Sequence, residues 1–510
     1  MIRCNDNFLV LAKECSTLVD LLSYRSLHQP EQVAFVFLQD GETEAACWTY
    51  RELDCRSRAI ATQLQAQGLT GERALLLYPS GLDYLAAFFG CLYAGVVAVP
   101  AYPPRNHRNT PRILAVVNDA KPAIALTTTT IQSRVQALLT EQTGLEQLQW
   151  LATDTLTQEV GSDWQIPPLY SDTLAFLQYT SGSTGTPKGV MLSHRNLLHN
   201  AVVTYELMGH SPESVFVSWL PVYHDMGLIG GILQPLYGGF PCILMPPASF
   251  LQRPYRWLQA ISQYRGTTSG APNFAYELCI EKITAEQRQS LDLSSWTVAF
   301  NGAEPVRSHT LNRFAAEFAE CGFRLEAFYP CYGMAEATLM VSGGRKAELP
   351  IVKTVQKVAL EQNRMVEVEA NLCTQEETHA LVGCGQSVPQ QQVVIAHPET
   401  LTRCAPDEVG EIRVSGPSVG QGYWQRPDET AQTFQAYLTD TGESPFLRTG
   451  DLGFLHDGEL FVTGRVKDLI IIRGRNLYPQ DIELTAEQSH LSLRSGGSAA
   501  FVVEVLARQV

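Results

Sequence analysis

Apolar positions along the N-terminal part of the chain follow two periods. From Thr49-Tyr50-Arg51-Glu52 to about Gln67-Gly68 they recur at helical spacing. That opening tetrapeptide is a capping box, in which a Thr hydroxyl and a Glu carboxylate satisfy N–H groups left open at a helix start. Short apolar runs follow at Arg73–Tyr78, Val96–Val99 and Ala123–Thr127, separated by helical stretches at Leu82–Ala94 and near Arg112–Asp119. Strands that alternate with helices predict an α/β fold built on mostly parallel sheet covered on both faces. Binding is then expected outside the carboxyl ends of the strands.

The pattern changes between about Gly343 and Gly385, where Lys, Glu and Gln dominate between apolar, glycine-rich flanks, and this predicts an inserted, solvent-facing module. From Val393 onward, short strands and turns such as Gly410–Val414 and Gly458–Val462 predict a small β subdomain. Arg494–Ser498 reads as a turn and Ala499–Val505 as a strand.

Two uncharged stretches, Tyr84–Pro104 and Met226–Gln252, pass the length test for a membrane span of roughly 18 to 25 residues. Glycines and prolines break both, so each is expected to be soluble core and no stable membrane insertion is expected. Charged residues at Arg3, Asp6, Lys13 and Glu14 interrupt any signal-peptide core, and 12 cysteines without a C-x-x-C pair suggest neither a zinc site nor a disulfide framework. A reducing cytoplasm is the expected location. A net charge of −15 over 510 residues, without a Lys/Arg run longer than two, argues against nucleic-acid binding.

The strongest chemical signal is Tyr179-Thr180-Ser181-Gly182-Ser183-Thr184-Gly185-Thr186-Pro187-Lys188-Gly189, set between apolar runs. Small hydroxyl residues and glycines let backbone N–H and side-chain O–H groups converge on phosphate oxygens, and Lys188 adds a cation. The segment is not a Walker A loop, which would need Gly where Pro187 stands. It resembles the phosphate-binding signature of the adenylate-forming superfamily. Further motifs of that superfamily follow in order: Phe328–Glu336, Phe446–Asp451 and Gly464–Asp468 with Arg473-Gly474. Val99–Pro104, Trp219–Gly230, Arg473–Glu483 and the module after Glu336 resemble the fatty acyl-AMP ligase branch.

The resemblance implies a large N-terminal domain over residues 1–466, with two mainly parallel sheets sandwiched by helices, a small barrel-like β subdomain and the insertion at about 343–385. A hinge at Lys467 and a truncated, incomplete small α+β C-terminal domain would follow over 467–510. The implied reaction joins a fatty acid to ATP, releases pyrophosphate, and passes the acyl group from its adenylate to the phosphopantetheine thiol of an acyl carrier protein. That carrier could belong to a polyketide or peptide synthase in lipid or polyketide synthesis. In this branch the insertion is thought to hinder the domain rotation that transfer to free CoA requires. A fatty acyl-CoA synthetase is the alternative enzyme. An impaired nucleotide and acyl binder is the alternative of another class, because the family's C-terminal domain ends in a Gly-Lys and none follows Ser498.

A fatty carboxylate is already ionised at neutral pH, so adenylation needs charge neutralisation rather than a general base. The resemblance places Thr180, Ser181, Gly182, Ser183, Thr184, Gly185, Thr186 and Lys188 around the phosphates. It places Mg²⁺ on Glu336, and His224 near the α-phosphate and the carboxylate. The alternative reading of Glu336 is a helix N-terminal residue favoured by the macrodipole. Tyr332 offers a π face to adenine, flanked by Gly333, Met334 and Ala335, with Gly302, Ala303 and Glu304 as the opposite wall. Asp451 is expected at the ribose and Arg465 at the ribose or α-phosphate. Met226, Gly230, Phe274 and Tyr276 are expected along the acyl tunnel, although Gly270–Tyr276 could also be an ordinary core strand. His224 and Asp225 are adjacent, and adjacency alone does not make them hydrogen-bond partners.

Overall fold

A computed structural model describes residues 15–104, 110–139, 148–157, 161, 163–180, 187–368, 377–472, 475–490, 492–493 and 497–501. The capping box forms as its chemistry requires. Glu52 N donates to Thr49 Oγ1 at 3.2 Å and Thr49 N donates to Glu52 Oε2 at 2.8 Å, opening the helix Tyr50–Ala66. Against it lies the helix Leu82–Ala94, in which every residue except Asp83 is buried. Gly90 permits that crossing, because a Cβ there would stand 2.7 Å from Ile60. Gly95 ends the helix in the left-handed conformation, φ +68°. The first uncharged stretch is thus a core helix followed by the buried strand Val97–Ala101.

Among the described residues, one sheet has six strands in the order Gln149–Ala152, Ile124–Thr127, Arg73–Leu77, Val97–Ala101, Leu174–Thr180 and Lys188–Ser193. All are parallel except the last, which folds back antiparallel on Leu174–Thr180. The second sheet has nine strands. Its parallel centre runs Phe328–Gly333, Val298–Asn301, Thr268–Ala271, Phe216–Ser218, Cys242–Leu244 and Val33–Leu38, with antiparallel strands on both flanks. One apolar core spans both sheets. The second uncharged stretch is also core: a π-helix at Met226–Leu233, the short helix Gln234–Gly238, the strand Cys242–Leu244 and the helix Pro247–Gln252. No helix among the described residues is long and apolar enough to cross a membrane.

The expected β subdomain is a four-stranded antiparallel sheet of Gln392–Ala396, Gly410–Ser415, Leu447–His456 and Glu459–Arg465. The polar module after Gly343 pairs Val352–Gln356 with Thr378–Val382, and its residues 369–376 lie outside those described. It is not wholly solvent-facing. Val355, Leu360 and Leu381 are buried against Phe454, Phe461 and Tyr478, and Arg475 Nε donates to Glu361 Oε2 at 2.8 Å. Charge on its outer face concealed this apolar inner one. The C-terminal portion contains the hairpin Ile470–Ile472/Arg475–Leu477 and the helix Pro479–Gln488.

The strand expected at Ala499–Val505 is absent over its described part, Ala499–Phe501.

 Instead of joining a ladder, Ala500 N donates to Glu483 Oε1 at 2.9 Å, and residues 494–496 and 502–510 of that segment lie outside the described residues.

Candidate active site

Strands of both sheets end at one cavity of about 1830 Å³. Its rim takes Thr180 from the end of Leu174–Thr180, Gly302 and Ala303 just past Val298–Asn301, and Tyr332 and Gly333 from the end of Phe328–Gly333. This is the carboxyl-end position that a parallel sheet leads one to expect. Thr180 pairs with Lys188 across the antiparallel hairpin, so the two ends of the phosphate loop are fixed side by side, and both line the cavity. Ser181, Gly182, Ser183, Thr184, Gly185 and Thr186 lie outside the described residues.

Glycine is required at two of these strand ends. A Cβ at Gly302 would come within 2.7 Å of the Cys331 carbonyl, and one at Gly333 within 1.9 Å of the Leu339 carbonyl. These close approaches bring Ala303, Glu304, Met334 and Ala335 to the same cavity as Tyr332. Glu336 follows in a three-residue 3-10 turn, Ala335–Ala337, so no helix dipole accounts for its carboxylate. It is buried, and Tyr423 Oη donates to its Oε1 at 3.0 Å. Burial pushes the Glu336 carboxyl above its ordinary value, and the charges of Asp225 and Asp451 add to the effect.

Asp451 and Arg465 are direct cross-strand partners in the antiparallel sheet, with Arg465 Nε 3.1 Å from Asp451 Oδ1. The other oxygen, Oδ2, accepts from Tyr332 Oη at 2.6 Å. Burial raises the Asp451 carboxyl, while Tyr332, Arg465 and Lys467 pull in the opposite direction. Lys467 lines the cavity beside them.

His224 and Asp225 do hydrogen-bond, at 2.6 Å between Nδ1 and Oδ1. Asp225 stands at the start of the π-helix in helical conformation, and its Oδ1 also accepts from Met226 N at 2.7 Å. That local turn brings the adjacent side chains together, which an extended strand would not. The bond to Asp225 raises the His224 imidazole above its ordinary value.

The apolar arm of the cavity includes Met226, Gly230 and Phe274. It also includes Met208, Phe216, Phe300, Leu339 and Met340, which the sequence did not single out. Tyr276 is a correction. It is fully buried, its Oη donates to Phe300 O at 2.8 Å, and its ring packs on Trp257, Trp296, Phe314 and Phe328. Gly270-Ala271 ends a strand and Asn273–Lys282 is a helix, on which positions 274 and 276 diverge by about 200°. Phe274 therefore meets the cavity and Tyr276 the core. Tyr423 is a further residue missed, and its setting in the aromatic, glycine-rich run Gly420-Gln421-Gly422-Tyr423-Trp424 is a signal that could have found it.

Comparison with known proteins agrees with this geometry. The family described as AMP-binding enzyme matches residues 23–424. The medium-chain-fatty-acid–[acyl-carrier-protein] ligase JamA of Moorena producens is 52% identical over 496 residues, covering 96% of this chain and 84% of that protein. The long-chain-fatty-acid–AMP ligase FadD32 of Mycolicibacterium smegmatis is 38% identical over 500 residues, covering 95% and 78%. A crystal structure of a fatty acyl-adenylate ligase from L. pneumophila, in complex with acyl adenylate and pyrophosphate, superposes with a TM-score of 0.85 at 43% identity, covering 98% of this chain and 85% of that one. With its phosphate-loop hairpin, its glycine-shaped strand ends and the Tyr332–Asp451–Arg465 cluster in one cavity, the chain belongs to the AMP-binding enzyme family and, within it, to the fatty acyl-AMP ligases.

Proposed function

We propose that the chain activates a fatty acid as its acyl-adenylate and transfers the acyl group to the phosphopantetheine thiol of an acyl carrier protein, free or part of a polyketide or peptide synthase. The observation that carries this reading is the joining of a polar, strand-end pocket to an apolar arm within one cavity. A carboxylate at the junction would reach the α-phosphate while its alkyl chain stays out of water. The 52% identity to JamA, a medium-chain-fatty-acid–[acyl-carrier-protein] ligase, supports the same substrate class and acceptor here.

In the first half-reaction a carboxylate oxygen forms a bond to the α-phosphorus and the bond to the β-phosphate oxygen breaks, releasing pyrophosphate. Both reactants are anions, so the site's work is to orient them and neutralise charge. Lys188 and Thr180 act at the β- and γ-phosphates, and Arg465 at the ribose or α-phosphate. His224, held by Asp225, lies where the attacking carboxylate meets the phosphate. Asp451 accepts from ribose hydroxyls, and adenine lies against Tyr332. In the second half-reaction the thiol sulfur bonds to the acyl carbon, the bond from that carbon to the α-phosphate oxygen breaks so that AMP departs, and the thiol proton is released to solvent.

The residues present fit a hard divalent cation shared with the nucleotide. Glu336 is a buried carboxylate whose described partner is a neutral phenol, so its charge is not cancelled. Among the described residues no group of three or more His, Cys, Asp and Glu forms a metal cage. One protein carboxylate plus substrate phosphates is how Mg²⁺ is commonly held, and bound there it would neutralise charge on the phosphates. We assign Lys467 as the hinge between residues 1–466 and the C-terminal portion. Contacts from the insertion brace that portion: Glu361 to Arg475, Asn363 to Asn476 at 2.9 Å and His379 to Asp481 at 3.2 Å. Such bracing opposes rotation and favours a carrier-borne thiol over free CoA.

The test is incubation with ATP, Mg²⁺ and fatty acids of graded length. Pyrophosphate release, acyl-AMP formation and acyl transfer to a holo carrier protein are expected. Efficient acyl-CoA formation would replace this reading with that of an acyl-CoA synthetase, and nucleotide binding without turnover with that of a binding protein.

A further inference from the structure

Lys188 enters the cavity already paired. Its ammonium forms an ion pair with Glu429 and stands 5.0 Å from the centre of the Tyr423 ring. The second Glu429 oxygen accepts from Arg426 at 2.9 Å, and Arg426 also donates to Asp119 at 2.9 Å. Asp119 in turn accepts from Tyr179 Oη at 2.7 Å, so the chain of pairs returns to the strand that leads into the phosphate loop. The Lys188 side chain is 14% exposed and that of Glu429 36%.

The ordinary reading of Glu429 is a first-turn acid of the helix Pro427–Phe434, placed there by the helix dipole and by its i,i+3 pair with Arg426. That reading accounts for Arg426 but not for Lys188, which comes from another part of the fold. If Lys188 binds the triphosphate, as the proposed function has it, its ammonium faces two competing anions, and Glu429 is one of them. Arg426 makes the exchange feasible. When Lys188 leaves, Glu429 keeps a cation on its other oxygen and is not stranded as a bare carboxylate. Lys188 and then Arg426 hold the Glu429 carboxyl below its ordinary value, so it stays ionised at neutral pH.

We propose that Glu429 is a positioning residue that holds the Lys188 ammonium while the phosphate site is empty and gives it up to the β- and γ-phosphates of ATP, with Arg426 retaining the carboxylate. This inference rests on the assignment of Lys188 to the phosphates. It predicts an effect opposite to that of a structural ion pair. Removing a structural partner loosens the site and weakens nucleotide binding, whereas removing a competitor strengthens it.

The experiment measures calorimetric binding of α,β-methylene-ATP with Mg²⁺ to the full chain, in which the α–β bond cannot be cleaved. Glu429→Gln keeps the shape and an acceptor for Arg426, and its thermal midpoint confirms folding. Its dissociation constant is expected to fall about 2- to 5-fold, the range of a partly exposed ion pair. In steady-state turnover its KM for ATP falls while kcat does not rise. Lys188→Ala is expected to weaken binding, and adding Glu429→Gln to it to change nothing further. Weakened or unchanged binding in Glu429→Gln overturns the proposal, as does tightening that persists without Lys188. Undiminished binding in Lys188→Ala removes the phosphate assignment of Lys188 itself, and this inference with it.

Discussion

Asp451→Asn isolates one charge at the end of the cavity where we place the nucleotide. The substitution is isosteric, and the carboxylate it replaces uses Oδ2 for Tyr332 and Oδ1 for Arg465. A carboxylate oxygen has two acceptor positions, so each can also receive a ribose hydroxyl. In the amide one oxygen becomes a donor. It can satisfy Tyr332 or Arg465 but not both, and the remaining N–H faces the ribose as a donor against donors. Hydrogen bonds to a charged acceptor contribute about 1.5–3 kcal/mol, so kcat/KM for ATP should fall about 10- to 150-fold. Stability should hardly change. Burial already raises the Asp451 carboxyl, and Arg465 is more than half exposed and can turn to water, so the lost pair is worth about 1 kcal/mol at most. Pyrophosphate release measured with ATP, 2′-deoxy-ATP and 3′-deoxy-ATP tests the mechanism directly. The parent enzyme should discriminate against the deoxynucleotides, and the variant should accept all three within about threefold, because the shared acceptor is gone. If the variant keeps the parent's discrimination, Asp451 does not touch the ribose and serves only its ion pair.

Three further outcomes are expected. Glu336→Gln keeps an acceptor for Tyr423 but removes the buried charge, so pyrophosphate release should drop more than about 100-fold while the thermal midpoint does not fall; undiminished release would discard the cation site. At Gly230 a Cβ meets only Leu339 Cδ2, at 3.3 Å, so Gly230→Leu should project into the apolar arm. Displacing three methylenes at about 0.8 kcal/mol each would cost a long-chain acid about 60-fold in kcat/KM and spare short ones, and an unchanged chain-length profile would move the acyl arm elsewhere. Burial pushes His194 down to about 4 and His210 to about 3, from 6.5. Above pH 6.5 both are neutral whether folded or not. As pH falls below 6.5 the unfolded chain takes up protons that the folded chain refuses, so stability declines with acid by about 1.4 kcal/mol per pH unit per histidine until the folded values are reached. Urea unfolding between pH 7 and 5 would show this slope, and a flat profile there would contradict it.

The fold was legible where local chemistry decides it. A capping box, an uncharged helix closed by Gly95 and apolar runs of strand length each specify their own element, and each formed within a residue or two of its expected ends. The strands on either side of residues 181–186 were legible from their apolar runs, whereas Gly302 and Gly333 came only through the family resemblance. Sites assembled across the chain were not. Tyr423 reaches Glu336 across 87 positions and Tyr332 reaches Asp451 across 119, and no periodicity records such distances. Tyr276 was misplaced because an apolar, aromatic segment reads alike whether it faces a cavity or a core. The insertion was misjudged from its outer face, as its apolar residues are few and spaced for a single buried side.

One physical theme does connect the residues that sequence could not pair. Three acids in and beside the cavity each accept from a tyrosine: buried Glu336 from Tyr423, buried Asp451 from Tyr332, and half-buried Asp119 from Tyr179. Burial, reinforced by the neighbouring carboxylate, raises all three phenols far above their ordinary value, so they donate as neutral groups at any physiological pH. A neutral donor orients a carboxylate and satisfies one lone pair without cancelling its charge, which an arginine or lysine in the same place would do. The acids therefore stay rigid yet remain negative. In the proposed mechanism this leaves the Glu336 charge for a cation, whereas Asp451 already shares its charge with Arg465 and Asp119 with Arg426. Cationic partners at Glu336 would make a more stable empty site and a poorer enzyme, because the nucleotide would have to break them before it could bind.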